Sequence, residues 1–301
     1  MEYQSGAVSP VGSISEGWNI IKDSYWIFFG MMLVTIIILI GVSLVLSLIN
    51  NAIAFAISAA FGVAAHNTGE AGQISAAIAP QMISMVISIF TNIIVTTLSG
   101  VLFCGIYAAL SRKVNTGVAD FGDLFSGFQK IMPCLIVAAI MSLVQFVIGV
   151  GMLLGGAAVG VSAFGMGMLM KDGQFDPSVL GGIIFAVLIF VAVYVVILLI
   201  ISALTTFVYP LIGERNLSGG EALLLSVKSG FSNLGGIILM MILLFLISMG
   251  GAMLCFVGLL FVAPILPASI FAAYQSVFGR TRSSGQYAPP PPPIFNNQPQ
   301  Y

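Results

Sequence analysis

Six apolar runs, each long enough to cross a bilayer as a helix, dominate this sequence and leave it few ways to fold. A crossing needs roughly 20 apolar residues, because each helical residue rises about 1.5 Å against about 30 Å of hydrocarbon. Such runs cover residues 25–49, 81–110, 131–157, 179–211, 234–249 and 252–278. The fifth is short, and only Gly250 and Gly251 part it from the sixth, so the pair forms a tight hairpin or one bent re-entrant unit. Lipid offers no partner to a bare N–H or C=O, and no run alternates apolar and polar residues as a barrel strand does. The expected fold is an all-α membrane protein, a six-helix transmembrane bundle. Composition agrees: 59% of the 301 residues are hydrophobic and 6% charged, against about 25% charged in soluble proteins. A net charge of -1 gives no steering toward nucleic acid, which is not an expected partner.

Orientation follows from the basic residues, because Lys and Arg in short loops stay on the cytoplasmic side. Six spans place Lys22, Arg112, Lys113, Lys130, Arg215, Lys228, Arg280 and Arg282 on one side and only Lys171 on the other. Both termini are therefore expected in the cytoplasm. The first apolar run has no basic region before it and is longer than a signal-peptide core, so it is read as a retained anchor. Residues 1–12 are read as a flexible N-terminus, 13–279 as the membrane domain and 280–301 as a disordered proline-rich tail. Cys104, Cys134 and Cys255 lie in apolar runs and read as packing residues.

A charged, amphipathic stretch precedes each odd-numbered span: SEGWNIIKDSYW, FGDLFSGFQKIM and GGEALLLSVKSGF. In each, an acid precedes a lysine (Glu16 and Lys22, Asp123 and Lys130, Glu221 and Lys228), and each even-numbered span ends in a tyrosine followed by an arginine (Tyr107 and Arg112, Tyr209 and Arg215, Tyr274 and Arg280). Three pseudo-repeated hairpin units, each opened by a cytoplasmic interfacial helix, are the simplest account. The alternative is that charges have nowhere to sit except these loops. In the first stretch Ser13 and Glu16 have capping-box spacing, and Ile14, Trp18, Ile21 and Tyr25 would form one apolar stripe with Trp18 and Trp26 at headgroup depth. That face either meets lipid or covers the end of the bundle.

Between the first two spans, residues 50–80 are rich in Ala and small residues; they extend the first helix before a turn at HNTGEAG. The third span continues with small-residue pairs, Gly151 with Gly155 and Gly156 with Gly160, suited to close packing within the chain or to self-association as a homo-oligomer. In the tail, Pro289, Pro290, Pro291, Pro292 and Pro293 favour an extended polyproline helix, either docking a cytoplasmic protein or solvated without a partner.

Ionisable residues at membrane depth mark proton relays and intramembrane catalysts, because burying them costs several kcal/mol. None occupies the central portion of any span. His66 has no second ligand nearby, and no phosphate loop, nucleophile elbow or metal motif occurs, so no catalytic residue, cofactor or metal is expected. The polar residues at depth are Thr91, Asn92, Thr96, Thr97 and Gln145; Asn92 and Gln145 are the candidates for a polar lining, and interhelical hydrogen bonding is the alternative.

The motifs GWNIIKDSYWIFFG, GIYAALSRKV leading into DFGDLFSGFQ, and VYPLIGERNLSGGEALLLSVKSGFSNLGGIIL resemble a bacterial six-span family that includes the membrane domain of glycerophosphoryl diester phosphodiesterases and stand-alone relatives. The resemblance covers roughly residues 12–279. In the phosphodiesterases the chemistry resides in a separate soluble barrel domain, so the resemblance carries over no catalytic residue; it implies an inner-membrane module that anchors, scaffolds or meets lipid. The expected function is a non-enzymatic scaffold or lipid-associated accessory factor with membrane lipids as partners. The rivals are a transporter or channel for a small or lipid-like solute, and an enzyme of lipid metabolism using Asp120, Asp123 or Glu221.

Overall fold

The structure is a computed structural model that describes residues 3–66, 69–168, 177–253 and 257–279. Lys171, Cys255, Arg280, Arg282, the turn residues 67–68 and the tail with Pro289–Pro293 lie outside the described residues. The described residues are almost all helical, with coil at 3–9, 117–122 and 216–218, and contain no strand. Its helices are α1 (Pro10–Ile21), α2 (Tyr25–His66), α3 (Gly69–Thr116), α4 (Asp123–Ser126), α5 (Ile131–Met168), α6 (Pro177–Thr205), α7 (Val208–Arg215), α8 (Gly219–Ser232), α9 (Leu234–Met253), α10 (Val257–Val262) and α11 (Ile265–Phe278). Short 3-10 turns, Lys22–Ser24 and Gly127–Lys130, lead into α2 and α5. Six stretches are long and apolar enough to cross a membrane.

The first hairpin is far longer than a bilayer is thick. The 42 residues of α2 and 48 of α3 measure about 63 and 72 Å at about 1.5 Å per residue, against about 30 Å of hydrocarbon. The helix opened by Ile131 also runs on past residue 157, to Met168. Among the described residues the large buried side chains gather at the charged end, where Phe28 and Met31 of α2, Leu102, Ile106 and Leu110 of α3, Phe207, Leu211 and Ile212 around α7, and Phe271 and Tyr274 of α11 are fully buried. Farther along, Ile40, Leu44 and Leu48 on α2 and Phe185, Leu188 and Val195 on α6 face outward. Along α5, Gly155 packs against the Phe190 ring of α6, so this small residue serves contact inside the chain.

The fourth and sixth spans are each broken near the charged end, at sites set by proline. Pro210 has no N–H, and its ring would strike the carbonyl of the preceding turn; Pro264, just ahead of α11, and Pro267, in its first turn, do the same. Backbone groups freed in an apolar setting need substitutes. At the first break, Ser226 of α8 supplies both: its hydroxyl donates to Leu204 O (2.7 Å) and accepts from Phe207 N–H (3.2 Å). At the second, the Tyr25 hydroxyl donates to Phe261 O (2.6 Å). The fifth span is longer than the sequence suggests, since Gly250 and Gly251 lie inside α9 rather than at the turn. Gly251 is small because Gly258 of α10 lies against it: a Cβ there would sit 3.0 Å from Gly258 O.

The three amphipathic stretches become the joints of the bundle. Each is sunk by one glycine against an even-numbered span. Gly17 of α1 lies on α11, where a Cβ would come within 2.6 Å of Ser269 N; a Cβ on Gly127 would overlap Val101 O of α3; one on Gly230 of α8 would come within 2.9 Å of Leu204 Cα. The three contact points stand five or six residues before Tyr274, Tyr107 and Tyr209. Each joint rests on the hairpin preceding it in the chain, except α1, which rests on the last and closes the ring. This register is not the acid-to-lysine spacing noticed in the sequence, because the contact is made by backbone and the charges lie outside it.

The start of α1 also differs from the sequence reading. It begins at Pro10 after Ser9, and Ser13 is a buried residue on the face that carries Gly17 and Ile21, so Ser13 and Glu16 do not form a capping box. Proline at the first position suits a helix start, where no N–H is required. The one capping box among the described helices is Ser218 with Glu221 on α8. Of the stripe read from the sequence only Ile21 is fully buried, while Trp18 is exposed, because the small face rather than the aromatic one meets α11. Residues 3–9, read above as flexible, are tied down: Asn233 accepts from Ala7 N–H (2.8 Å) and donates to Gln4 O (3.0 Å), and Gln4 N–H donates to Val277 O (2.9 Å).

Three substitutions test this packing. Gly127→Ala forces backbone apart and should cost about 1–3 kcal/mol of stability, whereas Gly220→Ala, which meets open space, should leave the unfolding midpoint in detergent unchanged or raised. Ser226→Ala removes both substitutes at the first break and should cost about 1–3 kcal/mol; a thermal midpoint equal to that of the parent chain would contradict the assignment.

Candidate functional site

At the charged end, side chains of opposite sign and hydrogen-bonding groups are used against one another. Arg112 of α3 pairs with Asp123 (3.1 Å) and Asp120 (3.4 Å), drawing α4 onto α3. Lys113 donates to Ser24 Oγ and Gly117 O, both at 2.8 Å, and Lys130 donates to Asn216 Oδ1. Asn216 itself ends α7 in the left-handed conformation (φ 56°), which Asn tolerates better than most residues. Arg215 donates to the Tyr274 hydroxyl (2.8 Å) and to Phe278 O (2.7 Å), with its guanidinium 5.7 and 5.5 Å from the centres of those two rings. It thereby satisfies a carbonyl that the end of α11 leaves open. Glu214 accepts from Ser111 Oγ (3.2 Å), joining α7 to α3.

Around this end runs a chain of rings, Tyr209–Phe103–Tyr107–Phe271–Tyr274–Phe207, with neighbouring centroids 5.8 to 6.5 Å apart. Sequence reasoning picked out the three tyrosines as repeat markers; the structure makes them the contact between the three even-numbered spans. The residue after each joint glycine is aromatic and points out: Trp18 is 44% exposed, Phe128 42% and Phe231 62%. Trp26 is 70% exposed and belongs to a cluster with Tyr25, Phe29 and Phe261. Of these rings, Trp18, Trp26 and Tyr25 carry the polar edge that suits an aromatic residue to the boundary between headgroups and hydrocarbon.

Far from that end, the structure brings together the two residues proposed as a polar lining. Asn92 of α3 and Gln145 of α5 line one open cleft of about 250 Å³, with Ser88, Ser142, Ile89 and Phe146 around them. Asn92 Oδ1 accepts from Thr96 Oγ1 (3.1 Å) on its own helix and from Ser142 Oγ (3.2 Å) across the gap. Thr91 and Thr97 do not join them; each donates to a carbonyl of the preceding turn. Sequence reasoning missed Ser142, whose small side chain in an apolar run gives no signal without its partner.

Cys104 and Cys134 face each other on α3 and α5 with sulfurs 3.7 Å apart, as thiols in the packed region. Among the described residues no three His, Cys, Asp or Glu side chains gather as a metal site would require. No family model, curated protein or solved structure matches the chain.

The cleft yields a stability test. Gln145→Leu replaces an exposed amide on an apolar face and should leave the thermal midpoint in detergent unchanged or raise it. Asn92→Leu abandons two hydroxyl donors and should cost roughly 1 kcal/mol. The reverse order would show that the Gln145 amide, not Asn92, holds α3 and α5 together.

Proposed function

We propose that this chain is a non-enzymatic, multi-pass protein of the cytoplasmic membrane, with its charged end and both termini in the cytoplasm, acting as a scaffold or lipid-associated accessory factor. The observation that carries the reading is the ring of joints: Trp18, Phe128 and Phe231 all turn outward from buried glycines at the boundary between charged and apolar surface. Aromatic side chains so placed settle among headgroups and fix the depth of the bundle. The acidic residues nearest a catalytic role are otherwise engaged, Asp120 and Asp123 with Arg112 and Glu221 in the α8 cap. This supports the non-enzymatic reading over an enzyme of lipid metabolism. The basic residues gathered at one end support the cytoplasmic orientation. The resemblance to the membrane domain of glycerophosphoryl diester phosphodiesterases, proposed from the sequence motifs, agrees with a membrane module that works without a catalytic barrel.

Transport of a small or lipid-like solute is the second reading, favoured by the meeting of Asn92 and Gln145 in one cleft. Mass spectrometry of proteins and lipids co-purified in native membrane discs separates the two, comparing the full chain with one truncated after Gly285. A partner protein present only with the tail, or a lipid retained by both forms, is the expected result. Recovery of neither, together with solute flux in reconstituted vesicles that falls in Asn92→Leu, would replace it with transport.

A further inference from the structure

Gln145 lies about 21 Å along α5 from Ile131, and Asn92 about 22 Å along α3 from Tyr107, at about 1.5 Å per residue. Both start points adjoin the charged layer, so the cleft sits roughly two-thirds of the way across about 30 Å of hydrocarbon, about 10 Å short of the far surface. Both residues are exposed at that depth, in a cleft they share with the hydroxyls of Ser88 and Ser142 and with the apolar Met85, Ile89 and Phe146. Among the described residues no hydrogen bond engages the Gln145 amide or the Asn92 Nδ2. An amide bared to hydrocarbon costs several kcal/mol, so this arrangement calls for a polar occupant.

The chemistry of the opening narrows that occupant. The two amides offer four N–H donors, while the Oδ1 of Asn92 is already taken, leaving the Oε1 of Gln145 as the unengaged amide acceptor. A matching ligand is rich in acceptors and carries at least one donor, for the Gln145 Oε1 or the Ser88 and Ser142 hydroxyl oxygens. No charged side chain lines the cleft, so neither a phosphate nor an amine finds a counter-ion there, and a charged headgroup would pay heavily to sink to this depth. Two ester carbonyls and one hydroxyl on a compact glycerol unit meet the requirement, with acyl chains leaving along the apolar flanks beside Ile89 and Phe146.

We propose that the cleft between α3 and α5 binds the glycerol diester of a neutral lipid of the diacylglycerol class. This rests on the lipid-association reading above and names the lipid and the place. The ester groups of a phospholipid share the carbonyl chemistry but are held near the surface by the phosphate. A second copy of the chain, pairing its own Gln145 across the cleft, is the other way to satisfy the amides.

The test uses the full chain in phosphatidylcholine vesicles with a diacylglycerol carrying a photoreactive diazirine near the glycerol, and a phosphatidylglycerol labelled at the same acyl position. The expected result is labelling of the peptides bearing Asn92 and Gln145, displaced by unlabelled diacylglycerol and reduced at least fivefold in Gln145→Leu and in Asn92→Leu. Gln145→Leu keeps its fold because it replaces an exposed side chain, and its thermal midpoint is measured alongside. Labelling equal in parent and Gln145→Leu overturns the proposal. Equal labelling by the phosphatidylglycerol probe, with the same dependence on Gln145, overturns the assignment to a neutral lipid. A disulfide joining two copies of Gln145→Cys assigns the cleft to self-association and also overturns it. If diacylglycerol fails while native discs still retain another lipid, the lipid-association reading stands and the cleft assignment alone falls.

Discussion

Backbone-to-backbone contact through glycine at the charged end is the interaction on which the rest of this bundle depends. In a bilayer, lipid tails are as apolar as leucine, so hydrophobicity does not drive one helix onto another; close approach, dispersion and hydrogen bonds must do so. Gly17, Gly127 and Gly230 provide the approach, each setting a short helical segment directly on the backbone of a long span. Because α1 lands on α11, the segment before the first span and the end of the sixth hold the same joint, and the ring of spans closes at the charged end.

Closure explains several features that would otherwise be liabilities. Breaks in the fourth and sixth spans free backbone groups, yet they let α7 and α11 turn inward so that Tyr209 and Tyr274 reach the aromatic chain around Tyr107. The groups so freed are recovered by Ser226 and Tyr25, which come from the α8 joint and from the start of α2 just beyond α1. Arg215 then clasps the last turn of α11 with a charge-assisted bond and two ring contacts. Packing is thereby uneven along the long axis: the charged end is packed, while α3 and α5 open at the Asn92–Gln145 cleft.

The spans, their helical character and the gathering of basic residues were legible in the sequence because burial in lipid leaves a signal in hydropathy and charge. The three interfacial stretches were legible too, but not their register. Acid and lysine drew attention because charges are rare here, whereas the residues that set the register are glycines, and a glycine that receives a backbone looks in sequence like any other. Ser13 illustrates the same limit: followed by Glu16 it reads as a cap, and only its place opposite α11 shows it to be a small residue on a packed face. Asn92 and Gln145 were legible as oddities, since polar amides at depth are few. Their meeting depends on the pairing of α3 with α5, which nothing in either segment encodes alone. The true capping box, Ser218 with Glu221, was hidden in a stretch read for its charges.

Ring closure through α1 is the central claim, and hydrogen–deuterium exchange of the full chain in lipid discs tests it most directly, comparing the parent with Gly17→Leu. If α1 and α11 share a joint, a side chain at residue 17 deprotects α11 (Ile265–Phe278), far away in sequence, while the α3–α4 joint keeps its protection. If exchange rises in α1 alone and α11 stays as protected as in the parent, the ring does not close through α1 and the account is wrong.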